Sequence, residues 1–102
     1  MKMIKAVIKP HKLEPVHEAL LEIGVPTLTA TEVKGYDKEM QHAEVHRGTQ
    51  YRVAFMPMIK IEAIVEDELV DNAIAAIRTT AGTTQKNDGR IYVSEMIGAE
   101  SI

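Results

Sequence analysis

Twice along this chain an alternating run of residues gives way to apolar residues at helical spacing. That repeated switch of period limits the fold more than any other feature. Residues 3–9 place Ile4, Ala6 and Ile8 on one side of a strand and Lys5, Val7 and Lys9 on the other, and Pro10 ends the run. Residues 12–23 then carry a helical stripe of Leu13, Val16 and Leu20, with Glu14, Glu18 and Glu22 on other faces and Gly24 as a stop. After a turn at Pro26, a second strand is predicted over 27–33. The cycle then recurs. Ile59 to Val65 alternate and are rich in β-branched residues, and Glu66, Asp67 and Glu68 put acid at the start of the next segment, where it suits a helix dipole. Leu69, Val70, Ala73, Ile74 and Ile77 form a helix face that runs out near Thr79 and Thr80, and a last strand is predicted over 90–96. The tail 97–102 shows no period and is expected to fray. Strand, helix, strand, strand, helix, strand predicts an α+β, ferredoxin-like βαββαβ fold: an antiparallel sheet with helices on one face.

A chain of 102 residues suffices for one domain over 1–102 and not for two. With three Tyr, one Phe and no Trp, its core must be aliphatic. The net charge of −3, without a basic block, argues against a nucleic-acid-binding domain. The absence of cysteine excludes disulfides and thiolate metal sites and suits a reducing compartment. Lysines interrupt the N-terminal segment, so it does not read as a signal peptide, and no apolar run approaches the length of a membrane span. The expected location is the cytoplasm.

Helices on one face leave the other face of the sheet open. Val7, Ile59 or Ile61, and Val93 or Tyr92 are candidates for it, depending on register. So small a domain should not leave such a face wet, so oligomerisation across the sheet is expected.

Between the two cycles runs a polar tract, Gly35 to Pro57, longer than compact domains ordinarily allow a connection to be. It reads either as a surface hairpin joining two core strands or as a protruding recognition loop. In the second reading its tip carries Arg47, Gly48 and Tyr51, with His42, Glu44 and His46 beside them. A second glycine-bearing loop, residues 79–90, joins the second helix to the last strand. Its plain reading is an αβ loop with an Asn-Asp-Gly turn. Its sharper reading is a nest of backbone N–H groups around phosphate oxygens, with Lys86 and Arg90 supplying charge. The glycine spacing is not that of a Walker loop.

His42 and His46 lie four apart but lack a third fixed ligand, so no metal site is expected. Neither Ser94 nor Ser101 sits in a recognisable nucleophile constellation, and no hydrolase, kinase or redox signature is present. A binding protein is therefore expected rather than an enzyme.

The ordered set Ile8-Lys9-Pro10, Lys12-Leu13, Thr31-Glu32-Val33-Lys34-Gly35, Arg47-Gly48 with Tyr51, Phe55, Pro57, Lys60-Ile61-Glu62 and Asp88-Gly89-Arg90-Ile91-Tyr92-Val93 resembles the PII signal-transduction family, from Met1 to about Met96. The resemblance implies a homotrimer with adenine-nucleotide sites in the clefts between subunits. It implies that the long tract is a T-loop that engages a partner protein or membrane transporter, and that 83–90 is a phosphate-binding B-loop. By position, Val7, Thr29, Glu62, Ala63 and Ile64 resemble the adenosine pocket. Gly35, Asp37 and Lys38 fall near the phosphates, as do Thr83, Lys86, Asn87, Asp88, Gly89 and Arg90 of the B-loop.

The chain also departs from the family pattern. Glu39 stands where the family carries a glutamine that holds metal and 2-oxoglutarate, and Met58 where it carries a lysine that assists that ligand. Thr84-Gln85-Lys86-Asn87 replaces a glycine-richer run, and Arg90 replaces a lysine. The chain ends at Ile102, where typical members place phosphate-binding arginines. These departures predict a divergent PII-like sensor that favours ADP or AMP over ATP, with bicarbonate or another small anion as co-effector and no cofactor. The alternatives are a nitrogen-regulatory PII protein sensing ATP and 2-oxoglutarate, and a slow nucleotide hydrolase in which Asp37, Glu39 or Glu62 orients a metal-bound water. A structural trimer with metal affinity at His42 and His46 is a further one.

Overall fold

The computed structural model describes residues 1–36, 55–82 and 89–102. Its elements in chain order are β1 (Lys2–Ile8), a short 3-10 turn (Pro10–Lys12), α1 (Leu13–Glu22), β2 (Thr29–Gly35), β3 (Met56–Val65), a second 3-10 turn (Asp67–Leu69), α2 (Val70–Ala81) and β4 (Ile91–Glu95). The strands form one sheet in the order β2-β3-β1-β4 with every neighbouring pair antiparallel. This is the ferredoxin-like arrangement predicted from the period switches.

Directly paired residues of an antiparallel ladder share a face. Ile4 pairs with Ala63, Ala6 with Ile61 and Ile8 with Ile59, and all six are buried in one cluster with Val16 and Leu20 of α1 and Ala73 and Ile77 of α2. This face is the core, and both helices cover it. The register corrects one expectation: Ile59 and Ile61 belong to this covered face, not to the open one. The open face carries Met3, Lys5 and Val7 of β1 opposite Ile64, Glu62 and Lys60 of β3, and Tyr92 lies beside Lys5. Val93 pairs with Ile4 on the helix side, although β4 as an edge strand leaves it 40 % exposed.

Strand boundaries also differ, chiefly at the starts of β2 and β3. β2 begins at Thr29 rather than residue 27, and β3 begins at Met56 rather than Ile59. The extra length of β3 is paired: Val33 faces Met58, Lys34 faces Pro57 and Gly35 faces Met56. Pro57 is tolerated because β1 pairs with β3 only as far as Ile59, so at Pro57 just one side of β3 is flanked by a strand.

Gly24 ends α1 through a Schellman motif. Val25 N–H donates to the Leu20 carbonyl at 2.9 Å and Gly24 N–H to the Leu21 carbonyl at 3.1 Å, with Gly24 at φ +100°. The motif brings Val25 back onto Leu20, and both are buried. The tail 97–102 has no regular structure, and Ile97 and Ile102 are fully exposed.

Candidate functional site

β1 ends where α2 ends and β4 begins, because the antiparallel pairing of β1 with β4 sets Ala6 against Ile91. The three ends border an open hollow of about 400 Å³. Val7, Ile8 and Lys9 form one part of its wall, Ile74, Ile77, Arg78, Ala81 and Gly82 another, and Gly89, Arg90 and Ile91 a third. Its described lining residues include Lys9, Arg78 and Arg90, all exposed, and no carboxylate-bearing residue. Among the described residues none of the three has an ion-pair partner; the ion pairs there involve the Met1 amine, Lys2 and Lys5.

Glycine shapes the rim on both sides. Gly89 sits at φ +139°, where an L side chain is strained, and a Cβ on it would come within 3.3 Å of the Val7 carbonyl oxygen. Gly82 donates its N–H to the Arg78 carbonyl at 3.1 Å, and a Cβ there would approach that oxygen to 2.7 Å. Both ends of the second loop therefore press against β1 and α2 in a way only glycine allows.

A second, smaller hollow of about 230 Å³ lies beside the open face and is lined by Met3, Thr27, Leu28, Thr29, Glu62, Ala63 and Ile64. Thr29 Oγ1 donates to the Glu62 carbonyl at 3.5 Å, and Lys5 Nζ lies 4.0 Å from Glu62 Oε2. Ile64 is 43 % exposed. Gly35 lines neither hollow. It lies over Met58, whose Cγ stands 3.0 Å from where a Cβ on Gly35 would be. Met58 itself is buried. A third groove of about 900 Å³ runs beside these residues, between Pro10, Glu32, Lys34, Phe55 and Pro57. Tyr36 and Phe55 meet edge-to-face there with centroids 5.8 Å apart.

The predicted site residues thus divide. Val7, Gly89 and Arg90 share the cationic cavity, and Thr29, Glu62, Ala63 and Ile64 share the hollow by the open face. Val7 lies on the open face with Glu62, one pair removed along the β1–β3 ladder. Asp37, Lys38, His42, Glu44, His46, Arg47, Gly48 and Tyr51 of the tract, and Thr83, Lys86, Asn87 and Asp88 of the second loop, lie outside the described residues. Sequence reasoning had no role for Arg78 and named Lys9 only on the outer side of the first strand and in a motif. The available signal was position: one cation closes a helix just before a glycine loop, and the other closes the strand which that loop approaches.

The family model described as "Nitrogen regulatory protein P-II" matches residues 1–102. The chain belongs to the P-II family. It is 53 % identical over 93 residues to the nitrogen regulatory protein P-II of Rhizobium etli, covering 91 % of this chain and 83 % of that one. It is 48 % identical over 94 residues to the P-II protein of Azospirillum brasilense, covering 92 % and 84 %. To nitrogen regulatory protein P-II 1 of Escherichia coli it is 46 % identical over 96 residues, covering 94 % and 86 %. These relatives are named as regulators, not as enzymes. Their names favour the nitrogen-regulatory alternative over the divergent subgroup expected from the departures. No helix among the described residues is long and apolar enough to cross a membrane.

Proposed function

We propose that this chain is a nitrogen-responsive P-II regulator that binds an adenine nucleotide and signals through residues 36–54. The observation that carries the reading is the cationic cavity. Lys9, Arg78 and Arg90 all border a hollow whose described lining holds no carboxylate, at the foot of a loop flanked by Gly82 and Gly89. Unbalanced cations and free backbone N–H groups are what a polyphosphate requires.

In this reading Gly35, Asp37, Lys38 and the loop residues Thr83, Lys86, Asn87 and Asp88 complete the phosphate site. Val7, Thr29, Glu62, Ala63 and Ile64 take the adenosine. The two hollows of one chain join into one cleft when three copies associate as a homotrimer. Nucleotide occupancy biases the tract through differential contacts with the phosphates, and its tip, from His42 to Tyr51, engages a partner protein or transporter. No hydrolysis is needed for this.

ATP with 2-oxoglutarate is the ligand pair of this nitrogen-regulatory reading. A second reading has one observation in its favour. Met58 is buried and uncharged beneath Gly35, so it offers a dicarboxylate no cation. That favours ADP or AMP with a smaller anion such as bicarbonate. Calorimetry with AMP, ADP and ATP, each with and without 2-oxoglutarate or bicarbonate, tests both. Tighter ATP binding in the presence of 2-oxoglutarate supports the nitrogen reading. Indifference to 2-oxoglutarate together with a response to bicarbonate supports the second. Absence of binding by every nucleotide overturns the sensor.

A further inference from the structure

We propose that the core-side face of the β2–β3 ribbon, where it runs on past Ile59, docks an extended segment of a partner protein whose alternate residues are basic, acidic and apolar. This rests on the reading that the chain signals to a partner, and adds a contact beside the tract.

The ladder defines the face. β1 pairs with β3 only as far as Ile59, and the chain then turns into α1 through Pro10, whereas β2 and β3 stay paired to Gly35 and Met56. Ile59 is on the core side, opposite Ile8. Glu32 pairs with Ile59 and Lys34 with Pro57, so alternation keeps Glu32, Lys34 and Pro57 on that side. Tyr36 and Phe55 continue it, with their rings edge-to-face at 5.8 Å. Along this strip the apolar residues pass from buried Ile59 to Phe55, 58 % exposed. The groove of about 900 Å³ runs over it, with Pro10 at its side.

Both features have ordinary explanations. A cross-strand aromatic pair fastens a ribbon. Ring-to-ring contact is enough for that, and it leaves Tyr36 at 51 % and Phe55 at 58 % exposure beside a groove. Charges on an edge strand keep other edges away. Like charges would serve that purpose, whereas Glu32 and Lys34 are opposite in sign on one face. Among the described residues neither is ion-paired, even with the other. Alternate positions of an extended chain repeat at about 6.8 Å, so a segment lying along β2 sets a base against Glu32 and an acid against Lys34 at once. The next alternate residue then falls at Tyr36 and Phe55 and is apolar. Apolar anchors flanked by matched charges are the common form of such recognition.

The test probes the labelled full chain with an array of seven-residue peptides. Their alternate positions hold lysine, glutamate and leucine; two lysines and leucine; two glutamates and leucine; or lysine, glutamate and serine. Threonine fills the rest, and each set is made in both chain directions. Wild type should retain the lysine–glutamate–leucine peptides about fivefold better than the others. Lys34→Glu should shift the preference to two lysines, and Glu32→Lys to two glutamates. Both side chains are exposed, so these variants should melt within about 2 °C of wild type. Phe55→Ser should lower retention about tenfold. Leu21→Ser, at an exposed residue of α1, should not. A preference that ignores the charge at positions 32 and 34 overturns the inference, as does retention of no peptide or retention untouched by Phe55→Ser. A wild type that sediments faster with rising concentration, while Lys34→Glu does not, makes a second copy the occupant and also overturns it. Nucleotide calorimetry separates the two readings. A chain that binds no nucleotide but obeys the charge rule loses the sensor and keeps this surface. A chain that binds nucleotide but retains no peptide keeps the sensor and loses the surface.

Discussion

The two ends of β1 carry the same residue type and use it in opposite ways. At the start of the strand, Lys2 Nζ lies 3.2 Å from Asp67 and 3.5 Å from Glu95, and the Met1 amine lies 2.7 Å from Asp67. Every cation there has a carboxylate from a distant part of the chain. At the other end Lys9, Arg78 and Arg90 border one hollow, and among the described residues no carboxylate pairs with them. The first cluster ties the opening strand to the approach of α2 and to the edge strand β4. Among the described residues the second group ties no elements together. Charge balanced within the fold is structure; charge left unbalanced around a hollow is a place for a ligand.

The largest test of this contrast is Arg90→Glu, which puts a carboxylate beside a hollow whose described lining has none. Losing a charge-assisted hydrogen bond costs roughly 1.5–3 kcal/mol, and repulsion adds to it. Nucleotide affinity should fall about a hundredfold by calorimetry. The melting temperature should hold or rise, since an internal ion pair replaces cation repulsion. A protein that binds ATP as before would end the contrast.

Next comes Gly89→Ala. The positive φ and the 3.3 Å approach to the Val7 carbonyl make a side chain costly there. The loss should be on the order of 1–3 kcal/mol in urea unfolding. Gly98→Ala is its control, because a Cβ at Gly98 meets nothing within 4 Å. Equal effects at the two glycines would show that Gly89 is not pressed against β1.

The paired end should reveal itself through pH. The hydrogen bond from the terminal ammonium, joined by that from Lys2, holds the Asp67 carboxyl below the usual carboxylate range. A lowered native pKa means that the unfolded chain takes up the proton first as the solution is acidified. The contribution of Asp67 is therefore complete above about pH 5 and fades as pH falls through its native value. Lys2 is raised above the ordinary lysine value, chiefly by its hydrogen bond to Asp67, so its share fades only as pH climbs past about 10.4. Urea midpoints of wild type and Asp67→Asn should differ most near neutrality and converge in acid. A gap that is constant across pH would show that the ion pair is not its source. The effect is small because both groups are solvated.

The smallest effect is expected at Lys5 and Glu62, which are 4.0 Å apart on the open face. A double-mutant cycle should give about 0–1 kcal/mol while the face is wet. A larger coupling would mean that another copy covers the pair, as the proposed trimer requires.

Much of this was legible in the residues themselves. The alternation of Ile4, Ala6 and Ile8, and the stripe of Val16 and Leu20, assigned inward faces that the structure keeps. Gly24 was legible as a helix stop because few other residues adopt its φ. The inward turn of Val25 was not, because it depends on a Schellman contact with Leu20 and not on any period. Nor was the face of Ile59 and Ile61, because an alternating strand can present either side until its register with β1 is set. The balance of charge was equally hidden: Lys2 and Asp67 are 65 positions apart.

Local patterning alone therefore determined the element types, their order, the aliphatic core and the two glycine-bearing connections, since these depend on near neighbours in the chain. Only tertiary structure decided which cations are neutralised and which are not. Coulomb energy depends on distance in space, and tertiary packing, not sequence order, sets Lys2 beside Asp67 and makes Lys9, Arg78 and Arg90 border one hollow.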